Sequence, residues 1–552
     1  MVVSRLKLPF GLPSERIGVY LNPLQEVVPM SRRSTHRRPR PHPRQAVQKP
    51  RGTFHPRVQK VGPEHFGIVC IDPAKARSKW LLADFFGNIL LPPTFLDHNR
   101  DAFAQALARL EQARQQYDLR DLIVAIERTG RYHHPPKHAF AHVGLDTRIV
   151  HPFATKTLRQ PSNPGIKTDD TDLAAIFCAA LNGFALVELG LDEQWTTLQL
   201  LIRHRRELVR KSVVLRTQIR EHLEAAFPGF AACFSDLWDS NCAWHLLHHF
   251  DSPAALHAAG RAGLCHSLDQ AGIRFHRPTL DPILDWAAHA AMPDLGAASR
   301  RRFALALHED HTHKALQIQV LERDIAAALA RTPYVLLLSI PGINVVSAAD
   351  LAGEAGPIEH YANARALTGR SGLCPSRYQS DKVDHANGPL VRCCNRRLRA
   401  ALLRIADNLI NCNHYFNVLT HTWKTSGKDP RDSHIKVASR FSRIAFQMVA
   451  GHQVFRHPAI QGRDSVLAKL MAFHREHDTE APALLRDLQA ALGQVPRAEH
   501  RVEAVPLQEE LNKIHEGGRR GPQILGDILP IVLARLGVGV VQSQTSGEHD
   551  ST

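Results

Sequence analysis

Residues 66–72 read FGIVCID, an apolar run that ends in a carboxylate, and residues 122–127 read LIVAIE and end in the same way. Short continuous apolar runs rich in β-branched residues are typical of strands that are buried on both faces of a sheet. Each run therefore predicts a central strand, with Asp72 and Glu127 at the two strand ends.

The surrounding sequence continues this alternation of strands and helices. A second apolar run, Trp80–Phe86, leads into the Gly87-Asn88 turn signal and predicts a hairpin. Helical spacing follows over 101–117, a short strand is expected at Thr147–Val150, and Asp172–Leu186 is helical with acidic residues at its start. The pattern predicts an α/β domain over residues 62–190.

The rest of the chain is mainly helical in pattern. Two long charged stretches, 201–227 and 301–330, carry apolar residues at three- and four-residue steps and predict an antiparallel coiled coil. The expected organisation is a basic flexible arm at 1–61, the α/β domain at 62–190, a coiled coil with a helical insertion (228–300) at 191–331, a mainly α domain at 332–460 and a helical or flexible extension at 461–552.

The charge balance favours a nucleic-acid partner. The 552 residues include 69 Lys plus Arg against 53 Asp plus Glu, a formal charge of +16, and the run SRRSTHRRPRPHPR at Ser31–Arg44 concentrates it. Met30 directly precedes this run and is a second candidate start. Nine cysteines without a CxxC pair indicate a reduced, cytoplasmic protein, and no apolar run reaches the length of a membrane span.

Four carboxylates are candidates for a metal site. Asp169 and Asp172 are three residues apart and share one helix face, whereas Asp170 is rotated about 100° around the helix axis from Asp169. Asp72 and Glu127 can join them from the strand ends. Mg²⁺ prefers such oxygen ligands, and two ions can stabilise the attacking and leaving oxygens of a phosphoryl displacement. Taken alone, carboxylates at strand ends and helix starts are more typical of turn formers and helix caps.

Three motifs contain these carboxylates: GIVCIDPAK around Asp72, AIERTGRYHHP around Glu127 and KTDDTDLAAI around Asp169 and Asp172. In this order they resemble the RuvC-like (RNase H-like) domain of the DEDD transposases of the insertion-sequence one-ten family. The resemblance implies that the four carboxylates are catalytic and bind the metal, most simply as two Mg²⁺ ions. It also makes Lys75, which follows Asp72 in the first motif, a candidate for binding nucleic acid.

The second domain resembles the serine-containing transposase domain of the same family. The matching residues are Gly372-Leu373-Cys374-Pro375 followed by Gln379-Ser380, although Asp381 stands where the family usually has Gly. The resemblance implies that Ser380 is a nucleophile, with Ser371 and Ser376 as nearby alternatives. Four arginines follow closely and are suitable phosphate contacts or, equally, a solvated basic face: Arg392, Arg396, Arg397 and Arg399.

The resemblance implies a transposase that acts on target and donor DNA, is guided by a bridge RNA, and joins a cut strand to Ser380. Self-complementary helices and the need for two active sites predict a homodimer or tetramer through the coiled coil. The protein is then expected in the cytoplasm, associated with the nucleoid. Two alternatives remain open: a RuvC-like Holliday-junction nuclease that uses water, and a non-catalytic nucleic-acid-binding protein.

Overall fold

A computed structural model describes residues 51–160, 165–188, 190–380, 383–385, 388–455 and 462–496. The described residues fall into two compact units that divide at Gly190 and Leu191, and each is described by itself. The basic run Ser31–Arg44 and most of the predicted C-terminal extension lie outside the described residues.

The first unit is built on a six-stranded sheet with the order β3-β2-β1-β4-β5-β6. Strands β1, β4 and β5 are parallel, whereas β2 pairs antiparallel with β1 and β6 antiparallel with β5. The strands are β1 (Phe66–Pro73), β2 (Arg77–Asp84), β3 (Ile89–Asp97), β4 (Asp121–Glu127), β5 (Asp146–Val150) and β6 (Ala185–Val187). This sheet confirms the predicted α/β class.

Helices cover both faces of this sheet, which explains why β1 and β4 are apolar throughout. The helices are α1 (His55–Val61), α2 (Arg100–Gln116), α3 (His134–His142), α4 (Pro152–Arg159) and α5 (Asp169–Leu181). Apolar side chains of α1 and α5 pack on one face, and those of α2 and α3 on the other.

The first unit begins earlier than the sequence indicates. Phe54 and Val58 are buried in the core beside Phe66, so residues 51–61 belong to this unit and not to the predicted flexible arm. Arg57 of α1 forms ion pairs with Asp121 and Asp146, which join this helix to the starts of β4 and β5.

The second unit begins with one of two long helices that pack antiparallel to each other. These are α6 (Glu193–Ala226) and α10 (Ala297–Ala330), and the pairs Arg205–Glu322 and Arg216–His311 show the antiparallel register. The predicted insertion between them contains α7 (Asn241–His249), α8 (Pro253–Gln270) and α9 (Leu280–His289), with an apolar core of its own around Trp244.

The remainder of the second unit packs around the base of α6 and α10. It contains α11 (Val345–Ala355), α12 (Ala364–Ser371), a hairpin of β7 (Tyr378–Ser380) and β8 (Val383–His385), α13 (Arg396–Cys412), α14 (His414–Thr425), α15 (Pro430–Ala450), α16 (Gly462–Glu476) and α17 (Ala481–Gln494). Val466, Leu470 and Ala491 are buried in the same core as Leu198 of α6. Residues 462–495 are therefore part of this core, although the sequence places them in a separate extension.

The mainly helical character of residues 191–496 confirms the second part of the predicted fold class. Of the helices in the described ranges, none combines the length and the apolarity that a membrane span requires.

Candidate catalytic and nucleic-acid-binding sites

Asp72 and Glu127 are brought together by the pairing of two parallel strands. Ile71 of β1 is paired with Ile126 of β4, so the next residue of each strand lies at the same edge of the sheet. The carboxyl ends of parallel strands form the edge at which open α/β sheets place their sites. The two apolar runs of the sequence therefore determine the position of two of the four predicted carboxylates.

Helix α5 contributes the other two. Thr168 caps the helix: its hydroxyl accepts a hydrogen bond from the Thr171 amide, and the Thr171 hydroxyl accepts one from the Thr168 amide. Asp169 and Asp172 then lie in the first turn, where the helix dipole favours negative charge. Asp169 is exposed and Asp172 is buried.

Asp170 points elsewhere, as its place in the helix predicts. Its carboxylate forms an ion pair with Lys79 of β2, at 2.7 Å. Because this cation already balances its charge, Asp170 has a local partner outside the predicted set.

The other three carboxylates act on the electrostatics of Asp72. Burial, followed by the charges of Glu127, Asp172 and Asp169 and a hydrogen bond with Glu127, raises the pKa of Asp72 to about 7. A carboxyl that ionises only near neutral pH among three others lies in a field that a bound cation would relieve.

Asp172 has a cationic neighbour that the sequence did not indicate. The guanidinium of Arg159, at the end of α4, forms an ion pair with the Asp172 carboxylate, and Lys167 Nζ lies 4.0 Å from its second oxygen. No sequence signal identifies Arg159, because it lies on another helix and outside every motif. Across the described ranges, no three carboxylate, histidine or cysteine side chains are grouped closely enough to bind one ion as they stand.

Ser380 lies on an exposed β-hairpin in the second unit. It ends β7 and pairs with Val383 of β8, and its side chain is open to solvent. Below the hairpin, the Ser376 amide donates to the Pro389 carbonyl and the Val391 amide donates to the Cys374 carbonyl. This ladder presents Ser380 at the far end of a short two-stranded projection. Asp381 lies outside the described residues.

The two alternative serines are engaged in local structure. Ser371 is fully buried and its hydroxyl donates to the Thr368 carbonyl at the end of α12. The Ser376 hydroxyl donates to the Pro389 carbonyl across the base of the hairpin. Of the three serines, Ser380 alone has an exposed side chain, at the end of the projection.

The predicted cationic residues fall into two groups. Lys75, Arg392, Arg396 and Arg397 are exposed. By contrast, Arg399 is half-buried and donates to the backbone carbonyls of Ser371, Gly372 and Val391. Arg399 therefore stabilises the base of the hairpin.

A buried ion-pair network, which the sequence did not reveal, supports the start of α13. Asn395 caps this helix by accepting from the amides of Arg397 and Leu398, and its amide nitrogen donates to the Glu354 carbonyl. The Glu354 carboxylate is buried and is bound by Arg203 and Arg206 of α6. The network joins the long helix α6 to the segment that follows the serine hairpin.

Comparison with known proteins finds matches in both units. Residues 69–228 match the IS110 DEDD family model, described as a transposase, and residues 334–421 match the model of the transposase IS116/IS110/IS902 family. Over 287 residues the chain is 26% identical to the "Insertion element IS110 uncharacterized 43.6 kDa protein" of Streptomyces coelicolor, covering 51% of this chain and 70% of the relative.

The α/β domain with its four carboxylates, followed by the domain that carries the serine hairpin, defines a DEDD transposase, an enzyme that acts on DNA. Over these two ranges the chain matches the IS110 family of insertion-sequence transposases, which confirms the resemblance of its motifs.

Proposed function

We propose that this transposase cleaves and exchanges DNA strands at the carboxylate edge formed by Asp72, Glu127, Asp169 and Asp172, with divalent metal bound there. The observation that carries the proposal is the environment of Asp72: burial, followed by the charges of Glu127, Asp172 and Asp169, raises the pKa of this carboxyl to about 7. Burying unbalanced negative charge destabilises a fold, so such a cluster is typical of a function.

The donor set fits Mg²⁺ in kind, because every member is a carboxylate and hard cations prefer oxygen ligands. Bound Mg²⁺, as two ions, would supply charge stabilisation for the attacking and leaving oxygens of a phosphodiester. Arg159 forms an ion pair with Asp172, and we propose that a bound cation replaces this guanidinium as the partner of the carboxylate.

The test is DNA strand cleavage with and without Mg²⁺. Asp72→Asn, Glu127→Gln, Asp169→Asn and Asp172→Asn should each lower the rate at least 100-fold, since a lost ligand removes charge stabilisation worth several kcal/mol. Asp170→Asn is the matched control on the same helix turn and should retain activity. Full activity in any of the four variants removes that residue from the proposed set.

We further propose that Ser380 attacks the scissile phosphodiester. Its Oγ would lose a proton and bond to phosphorus, while the bond from phosphorus to one deoxyribose oxygen breaks and that oxygen takes up a proton. The phosphoserine link conserves the bond for the exchange step. Support comes from the exposure of Ser380 at the tip of the hairpin.

Denatured reaction mixtures should then contain a protein–DNA adduct that maps to the Ser380 peptide. Ser380→Ala should abolish it, whereas Ser376→Ala, at the base of the same hairpin, should retain it. Efficient cleavage without an adduct would instead favour the nuclease that uses water.

Exposed cations near each site are proposed to bind the nucleic-acid backbone. These are Lys75 in the first unit and Arg392, Arg396 and Arg397 in the second. Cations in the first turn of a helix oppose its dipole, so Arg396 and Arg397 do not stabilise α13 and are better explained by binding an anion. Arg399 contributes by holding the hairpin.

A bridge RNA is proposed as the source of sequence choice, with base pairing to the target and donor DNA. The formal charge of +16 supports a polyanionic partner. RNA of one defined sequence should copurify with the protein, and its removal should abolish site choice. The proposed location of the complex is the nucleoid.

A further inference from the structure

Phe153 is a large apolar side chain that the fold leaves in solvent, with 71% of its surface exposed. It lies in the first turn of α4, directly after β5. Because Val150 of β5 pairs with Glu127 of the parallel strand β4, this turn lies at the sheet edge that carries the carboxylates. Thr155 and Leu158 face the core of the unit, so Phe153 is not required for packing α4 onto the sheet.

The face of α4 around Phe153 combines an aromatic ring with positive charge. Lys156 is exposed and lies one turn further along the same face. At the far end of the helix, Arg159 contacts Asp172. Six residues of α-helix span roughly 9 Å, which is the rise of about two or three stacked bases. The ring is therefore within a few nucleotides of the candidate metal site.

We propose that Phe153 is a stacking platform for an unpaired base of the DNA strand at this site, and that Lys156 binds an adjacent phosphate. An aromatic face stacks on the face of an unpaired base, whereas bases within a duplex are covered by their neighbours. A polyanionic strand also complements the cations around the ring. The inference rests on the proposed function, since it requires DNA to bind at the carboxylate edge, and it adds the recognition of unpaired bases.

The experiment uses the full chain carrying Asp72→Asn, in Mg²⁺, with single-stranded DNA that contains one 2-aminopurine at successive positions. Stacking should quench the fluorescence at one or two adjacent positions. Adding Phe153→Ala should abolish the quench and weaken binding about tenfold, and Phe153→Trp should retain both. Phe86→Ala is the matched control, because Phe86 is 66% exposed but follows β2, at the opposite edge of the same sheet.

An unchanged quench in Phe153→Ala would overturn the proposal, as would an equal loss of affinity for blunt duplex DNA. If Phe153→Ala lost affinity for single-stranded RNA only, the ring would be assigned to RNA binding. If the substitution changed the molecular mass of the protein in solution, the ring would be assigned to a protein interface. Cutting of the probe in the Asp72→Asn background would contradict the metal-site proposal alone, since the quench is measured separately.

Discussion

The carboxyl of Asp72 gives the metal-free protein a stability that depends on pH. Its pKa is about 7, above the ordinary 3.8, so the folded state binds this proton more tightly than the unfolded state does. The stabilisation that comes from this bound proton is fully present below pH 3.8 and is lost as the pH rises through 7. Asp72→Asn should therefore raise the free energy of unfolding by about 1–2 kcal/mol at pH 8, allowing for solvent screening, and by less at pH 5.

Urea unfolding in EDTA at the two pH values measures this difference. Asp170→Asn is the control: the Asp170 carboxylate is exposed, so removing its ion pair with Lys79 should lower the free energy of unfolding only slightly at both pH values. A lower stability of Asp72→Asn at pH 8 would mean that the Asp72 carboxylate is balanced by a cation in the metal-free state.

At the scale of residues, the sequence predicts those site features that depend on local geometry. The three-residue spacing of Asp169 and Asp172 separated them from Asp170, and the ion pair of Asp170 with Lys79 agrees with that phase. Arg159 escaped prediction because its contact with Asp172 depends on how α4 packs on α5. The sequence predicts Arg399 as a phosphate contact. Its contacts with three backbone carbonyls could not be predicted, because only the folded chain brings those carbonyls to its guanidinium.

At the scale of elements, α12 and the hairpin are joined through Gly372. This residue has φ +66°, and an added Cβ would lie 2.2 Å from the Arg399 guanidinium and 2.7 Å from Cys394 Cβ. Gly372→Ala should therefore lower the free energy of unfolding by about 1–3 kcal/mol and reduce formation of the Ser380 adduct.

Gly369 is the matched control in the same helix. Its added Cβ meets nothing within 4 Å, so Gly369→Ala should stabilise α12 by about 0.5–1 kcal/mol and leave the adduct unchanged. Urea unfolding and adduct yield, measured for both variants, test the role of this turn. Equal effects of the two substitutions would contradict it.

Elements with one dominant signal were predicted from the sequence, and those with conflicting signals were not. Strand β3 was missed because Pro92 and Pro93 interrupt it, and prolines are tolerated there because β3 is an edge strand. The predicted helix to residue 186 ends at Leu181, since Gly183 takes φ +75° and the chain turns into β6. Its apolar residues alone did not distinguish the helix from the strand.

At the scale of the whole molecule, the antiparallel helices α6 and α10 present apolar side chains to solvent. Val213 of α6 is 59% exposed, and Leu316 and Val320 of α10 are both 56% exposed, one turn apart on one face. Apolar residues grouped on a helix surface mark an interaction site, and strand exchange between two duplexes needs two active sites. We propose that these helices hold a homodimer, which can pair into a tetramer.

Leu316→Glu with Val320→Glu should convert the dimer to a monomer, because each buries a charge in the proposed interface. Light scattering of the full chain measures the mass. Met292→Glu, at a position 95% exposed in the insertion, is the control and should leave it unchanged.

Assembly also makes a prediction about catalysis that the mass alone does not test. If the carboxylate edge of one subunit acts with the Ser380 of another, then Asp72→Asn and Ser380→Ala proteins, each unable to form the Ser380–DNA adduct alone, should recover part of the adduct yield when mixed. In a mixed dimer, one of the two composite sites carries both substitutions and the other carries neither. Random mixing makes about half of the dimers mixed, so about a quarter of the wild-type adduct yield is expected. Adding Leu316→Glu and Val320→Glu to both proteins should abolish the recovery, because the intact site then never assembles. No recovery from a mixture of proven dimers would place both residues of one active site in the same subunit.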